Sequence, residues 1–123
     1  MIFDVEVTTE VSDRIAEIGR SVVAPKPANY DSPEGVLFRK ALALIEDERD
    51  WCIGALAQVG PGGRIQHCTL GAILDAGGGT GCWPALAMNA VMKPDIAEYN
   101  NTHTHAEVIA KWHEAGRANG WLA

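Results

Sequence analysis

Phe3, Val5 and Val7 alternate with Asp4, Glu6 and Thr8, the two-residue period of a strand with one buried face. Val11, Ile15, Ile18 and Val22 then fall at i, i+4, i+7 and i+11, with Asp13, Arg14, Glu17 and Arg20 outside them. That is one apolar stripe of a helix, and Thr9 is placed to cap it. "APKPANYDSP" breaks the pattern with three prolines and an Asn/Asp/Ser cluster. Residues 1–23 are therefore expected to form a strand-helix segment, residues 24–31 a linker, and residues 32–123 the main body.

The body opens on Ser32-Pro33-Glu34, an N-cap, a first-turn proline and an acid at the positive end of the helix dipole. This helix is expected to reach about Arg49, burying Leu37, Ala41, Leu44 and Ile45. From Trp51 to Val59 the chain alternates, and Gly60-Pro61-Gly62-Gly63 turns it into Arg64–Cys68, which predicts a β-hairpin. Leu70–Ala76 reads as a short helix ended by Gly77–Gly81, and Pro84 opens another that runs to Met92 before Pro94. Thr104-His105-Ala106-Glu107 is a capping box for a final helix with Ile109 and Trp112 inward. Asn119-Gly120 suits its end, and Trp121 is placed to fold back over the last turn. The expected fold is α+β: one small domain, mostly helical, with a short antiparallel hairpin and the N-terminal strand-helix segment.

A chain of 123 residues, 47% hydrophobic and 21% charged, can bury one core without metal or disulfide staples. Its net charge of −6 is concentrated early, with eleven Asp/Glu against six Lys/Arg in the first fifty residues. No basic stripe interrupts that balance, so direct nucleic-acid binding is not expected. No run approaches the length of a membrane helix, and "MIFDVEVTTE" lacks the basic and apolar regions of a signal peptide. The expectation is a cytoplasmic protein without a membrane partner, whose three cysteines are reduced.

The cysteines invite a chemical reading. Cys52, His103 and Asn100 are the residue types of a Cys-His-Asn nucleophilic site, the basis of an alternative as a cysteine-dependent hydrolase or transferase. Cys52 also lies between Trp51 and Ile53, where a thiol is an ordinary small core residue. With an even hairpin loop, Cys68 falls on the face opposite Cys52. With a three-residue loop, Cys68 faces Leu56 and shares Cys52's face, about 13 Å away at about 3.3 Å per residue. Neither register allows a Cys52–Cys68 disulfide, which needs Cα atoms within about 7 Å.

Zinc is not expected. His67 and Cys68 point to opposite faces of a strand, and His103, His105 and Cys82 match no zinc spacing. "AGGGTG" lacks the Lys-Ser/Thr of a phosphate loop and follows a helix rather than a strand. No cofactor is indicated. Trp51, Trp83 and Trp112 sit in apolar contexts that suit a core, whereas Trp121, two residues from the terminus, is a candidate partner anchor.

Trp51, Cys52 and Gly54, then Cys68, Leu70, Gly71 and Ala72, then Asn100 before the Thr104-capped helix, make a pattern. It resembles a family of small uncharacterised bacterial and phage domains over Val36 to Ala115. Tyr99-Asn100-Asn101 stands where that family has Trp-Asn-Asp. The resemblance implies a compact α+β body and brings no activity. The leading expectation is a non-enzymatic protein-interaction domain, an accessory or host-interaction protein of phage or prophage, with a homodimer possible through the N-terminal segment.

Overall fold

A computed structural model of the protein describes residues 26–123. The strand expected at Phe3–Val7 and the stripe from Val11 to Val22 lie outside the described residues.

Helix α1 (Pro33–Ile45) begins where expected: the Ser32 hydroxyl accepts the Gly35 N–H at 3.0 Å and Pro33 occupies the first turn. It ends at Ile45, not Arg49. Asp47 adopts an extended conformation and its carboxylate accepts the Arg49 N–H at 2.9 Å, starting a separate turn of 3-10 helix at Glu48–Asp50. A short acidic side chain that caps the backbone ahead of it competes with helix continuation. The buried face is also rotated from the expected one. Phe38 and Leu42 join Ala41 and Ile45 inside, while Leu37 and Leu44 are half-buried at the margin.

The rotation follows from the aromatic centre. The Phe38 ring lies 5.0 Å from that of Trp112 and 5.2 Å from that of Trp121, and all three are buried. Ile45, Ile73, Met88, Met92 and Val108 complete a core contributed by every long helix.

After the 3-10 turn the chain forms β1 (Ala57–Val59) and β2 (Ile65–His67), paired antiparallel with Val59 opposite Ile65 and Ala57 opposite His67. The loop is Pro61-Gly62-Gly63, with both glycines at positive φ. Of the two registers left open by the sequence, this is the three-residue one. Two-stranded hairpins are marginal alone, and this one is tethered: Arg64 grips Asp50 with two bonds of 2.8 Å, and Gln66 Nε2 donates to the Arg49 carbonyl at 3.1 Å.

Helix α2 (Thr69–Asp75) starts directly from β2. Its N-cap is Cys68, whose sulfur accepts the Gly71 N–H at 3.3 Å. Gly71 is required there, because a Cβ on it would lie 1.8 Å from the Leu56 carbonyl oxygen. Helix α3 (Trp83–Val91) follows the glycine run. Trp83 is 66% exposed, so its expected place in the core is corrected. The reason is positional: it is the first residue of its helix, ahead of the buried Pro84, Ala85 and Met88.

Helix α4 (Ile96–Thr102) was not expected. Asp95 caps it by accepting the Glu98 N–H at 2.8 Å, a start signal carried by Asp95-x-x-Glu98. Helix α5 (His105–Ala118) has both halves of the capping box: Thr104 accepts the Glu107 N–H, and Glu107 accepts the Thr104 N–H at 2.8 Å. Gly120 at positive φ then reverses the chain, and the Trp121 N–H returns to the Gly116 carbonyl at 2.8 Å. Trp121 is thereby 5% exposed, and its indole is spent on Phe38 rather than offered as a partner anchor.

The architecture is a small α+β domain in which α1 packs on α2, α3 and α5 while the hairpin stands at one end. Among the described residues no helix is long and apolar enough to cross a membrane.

Thr104→Ala is expected to lower unfolding stability by about 1 kcal/mol in urea titration. Bonds from the Thr104 N–H and hydroxyl hold the Glu107 carboxyl below its ordinary value. Its contribution is thus complete above the ordinary carboxylate range and lost as pH falls through the folded value. The gap between wild type and Thr104→Ala should narrow under acid.

Candidate functional site

Two of the motif positions, Trp51 and Cys52, converge on the side chain of a third, Asn100. Asn100, 1% exposed on α4, accepts at Oδ1 the Trp51 indole N–H at 2.9 Å, the Thr69 N–H at 3.0 Å and the Thr69 hydroxyl at 2.8 Å. Its Nδ2 donates to the Cys52 carbonyl at 3.1 Å. The Thr69 hydroxyl oxygen in turn accepts the Trp112 indole N–H at 3.3 Å. Next to it, Asn101 Oδ1 accepts the Gly54 N–H at 3.0 Å. One carboxamide therefore joins the start of the 51–56 segment, the first residue of α2 and, through Thr69, the core of α5.

This bonding explains a second departure from expectation. Residues 51–56 are not the first half of a straight strand. Trp51 forms a parallel bridge with His67, and the Cys52 N–H donates to the His67 carbonyl at 3.0 Å, along the edge of β2 opposite β1. Gly54, at φ 81°, then carries the chain around the end of β2, where the Cys68 N–H meets the Leu56 carbonyl at 3.2 Å. Left-handed backbone at Gly54 breaks the alternation that the sequence pattern suggests. The 13 Å separation of Cys52 and Cys68, and with it the exclusion of a disulfide between them, therefore does not hold: the Trp51–His67 bridge sets Cys52 beside the end of β2, next to Cys68. Both are free thiols, 5% and 9% exposed.

A cleft of about 230 Å³ opens beside this turn, walled by Gly54, Ala55, Leu56, Cys68, Leu70 and Ile96 with Asn100 and Asn101 at its floor and rim. It is largely apolar. The Cys-His-Asn constellation is not assembled in it. Asn100 has its carboxamide committed to the backbone and to Trp51. His103 stacks on Tyr99 at 3.6 Å between ring centroids, with Nδ1 held 3.0 Å from the Tyr99 carbonyl. Cys52 donates its thiol to the Ala55 carbonyl at 3.5 Å. Burial, and secondarily the neighbouring Cys68, push the Cys52 thiol up, opposite to what a nucleophile needs.

The remaining imidazoles are also placed. His105 Nε2 donates to the Ile45 carbonyl at 2.7 Å, closing the last turn of α1. His67, 6% exposed, has Nε2 3.1 Å from an Asp75 carboxylate oxygen. The carboxylate can only accept, so the proton sits on Nε2. Nδ1 is buried without a partner among the described residues. No group of three His, Cys, Asp or Glu side chains among the described residues is placed to hold a metal.

Sequence reasoning named Asn100 for chemistry and missed its part in the architecture. The signal available was an Asn with no turn to make, at the motif position shared with Trp51 and Cys52. Comparison of the chain with protein-family models, curated proteins and solved structures finds no match.

Asn100→Leu leaves the Trp51 indole N–H, the Thr69 N–H and the Cys52 carbonyl without partners. At about 1 kcal/mol or more for each, the loss should be about 3 kcal/mol or more by urea unfolding. Asn100→Asp sets a second oxygen against the Cys52 carbonyl, which raises the folded pKa of the introduced carboxyl. That variant should be most stable in acid, where the carboxyl is protonated and can donate, and lose stability as pH rises through the folded pKa.

Proposed function

We propose that this is a small protein-interaction domain that acts by docking rather than by catalysis, and that the hairpin is its docking element. The observation that carries the reading is where the domain leaves its apolar surface. Of the seven large apolar side chains exposed among the described residues, four, Ile53, Leu56, Val59 and Ile65 at 51%, 52%, 72% and 54%, lie on or beside the hairpin, while Val36, Trp83 and Leu86 are spread over α1 and α3. Val59 and Ile65 are direct cross-strand partners, so their side chains share one face. Leu56 serves the other face, at the rim of the cleft.

The backbone supports the same reading. The bonds Cys68 N–H to Leu56 carbonyl and Gly60 N–H to Arg64 carbonyl fix the alternation of the ladder. Ala57 and Val59 therefore present their N–H and C=O groups away from β2. An open strand edge flanked by apolar side chains is what an extended segment of another protein adds to. The tether from Arg64 to Asp50 holds the hairpin in place for that purpose, so little ordering has to accompany binding.

Trp51, Cys52, Gly54, Cys68, Gly71 and Asn100, part of the pattern that resembles small bacterial and phage domains, build and brace this turn. That agrees with an accessory or host-interaction protein of phage or prophage, of inhibitor type, working in the cytoplasm on a host protein. A second copy of the chain is the alternative occupant of the edge.

The double substitution Val59→Lys/Ile65→Lys tests the reading, since both side chains are already exposed and the fold should keep its thermal midpoint within a few degrees. Affinity purification from a bacterial host should retain a partner with the wild-type chain and lose it with the double variant. Equal retention by both proteins would remove the hairpin as the docking face.

A further inference from the structure

The reversal at Gly54 has a chemical consequence beyond docking. Trp51 and His67 are parallel-bridge partners, so the residues that follow them, Cys52 and Cys68, are the next pair in register and point to the same side of the bridge. The bond from the Cys52 N–H to the His67 carbonyl, 3.0 Å, limits their Cα separation to about 7 Å by standard bond lengths. Adjacent strands at ordinary spacing put it near 5 Å. That is the separation a disulfide spans.

We propose that Cys52 and Cys68 form a dithiol site that a low-molecular-weight disulfide oxidises to an intramolecular Cys52–Cys68 bond. Cys68 is the residue of the pair that lines the cleft, and the reagent enters there. The Cys68 thiolate attacks one sulfur of the small disulfide, forming a mixed disulfide and expelling one small thiolate. The Cys52 thiolate then attacks the Cys68 sulfur and expels the second. Two electrons pass from the protein pair to the reagent, and the two protons leave on the two small thiols. Burial that pushes the Cys52 thiol up leaves less of it as thiolate and slows this second step.

Each sulfur is already engaged in the reduced protein, so the bond has a structural readout. Cys68 caps α2 by accepting the Gly71 N–H, and Cys52 fastens the 52–56 turn through the Ala55 carbonyl. Oxidation removes the Cys52 S–H donor outright and turns the Cys68 sulfur from the Gly71 N–H toward Cys52. The first turn of α2 and the wall of the cleft loosen together, at the residues that carry Ile53 and Leu56. The proposal rests on the pairing geometry alone and is independent of what the hairpin binds.

The test uses the full wild-type chain, equilibrated without denaturant in a glutathione buffer shifted from reduced to oxidised, and then quenched in acid. Cleavage at Arg64 and at Asp75 puts Cys52, Cys68 and Cys82 on three different peptides. The expected result is a link between the Cys52 and Cys68 peptides in a monomer that keeps its far-ultraviolet spectrum. Cys82 should be found free or as a glutathione adduct. Exchange of the Gly71 amide should quicken by about fivefold as its cap is lost. Cys52 and Cys68 remaining free while Cys82 is glutathionylated would overturn the proposal. So would glutathione adducts on either residue without a link, a link between two chains, or a link that forms only once the chain is unfolded.

Discussion

A buried carboxamide holds this fold in register. Asn100 is enclosed by protein and uses its oxygen for three donors and its nitrogen for the Cys52 carbonyl. Each of those groups would otherwise sit unpaired in a region that excludes water, at a cost comparable to a sizeable part of a small domain's stability. The consequence is geometric. The 51–56 segment, the start of α2 and the middle of α4 have one relative placement in which all four groups are satisfied. The bracket of bonds around Gly54, and the contact that demands Gly71, follow from that placement.

Opposite this polar centre lies the aromatic one. Phe38, Trp112 and Trp121 pack in a row, and α5 presents Gly116 there because a Cβ would lie 2.7 Å from the Phe38 ring and 2.6 Å from Leu122. Trp112 belongs to both centres, with its ring against Phe38 and its N–H on the Thr69 hydroxyl. The core and the hydrogen-bond network are therefore one unit, joined through an indole that has an apolar body and a polar tip.

The parts legible in the sequence were those written locally. Ser32-Pro33, Thr104-x-x-Glu107, Pro61-Gly62-Gly63 and the Gly77–Gly81 break each act through the few residues beside them, and each stands where the pattern put it. The failures are of another kind. Residues 51–59 contain Gly54, Ala55 and Ala57, whose small side chains make an alternation without apolar weight, and the bonds that reverse the chain come from Asn100 and Asn101, far along the sequence. The rotation of α1 toward Phe38 depends on Trp112 and Trp121, which also lie far away. The short α4 is also written locally, in Asp95-x-x-Glu98, just past a Pro94 that marks the end of the preceding helix. Of the candidate site, the residue identities were legible and their roles were not, since a buried Asn serves structure or chemistry according to what it meets.

The same distribution of polar and apolar groups bears on function. A catalytic site keeps reactive groups underemployed, poised for a substrate. Here Asn100 is saturated, the Cys52 thiol is engaged and raised by burial, and His103 is stacked on its own helix. Among the described residues the hairpin leaves apolar surface and backbone uncommitted: Val59 and Ile65 on one face, Leu56 at the cleft, and the outward groups of Ala57 and Val59. Side-chain chemistry is spent on fixing the turn, and the turn holds a strand edge that has no partner among the described residues. An edge held in that way lowers the entropy that a partner strand must overcome, which is the physical basis of the docking reading proposed above.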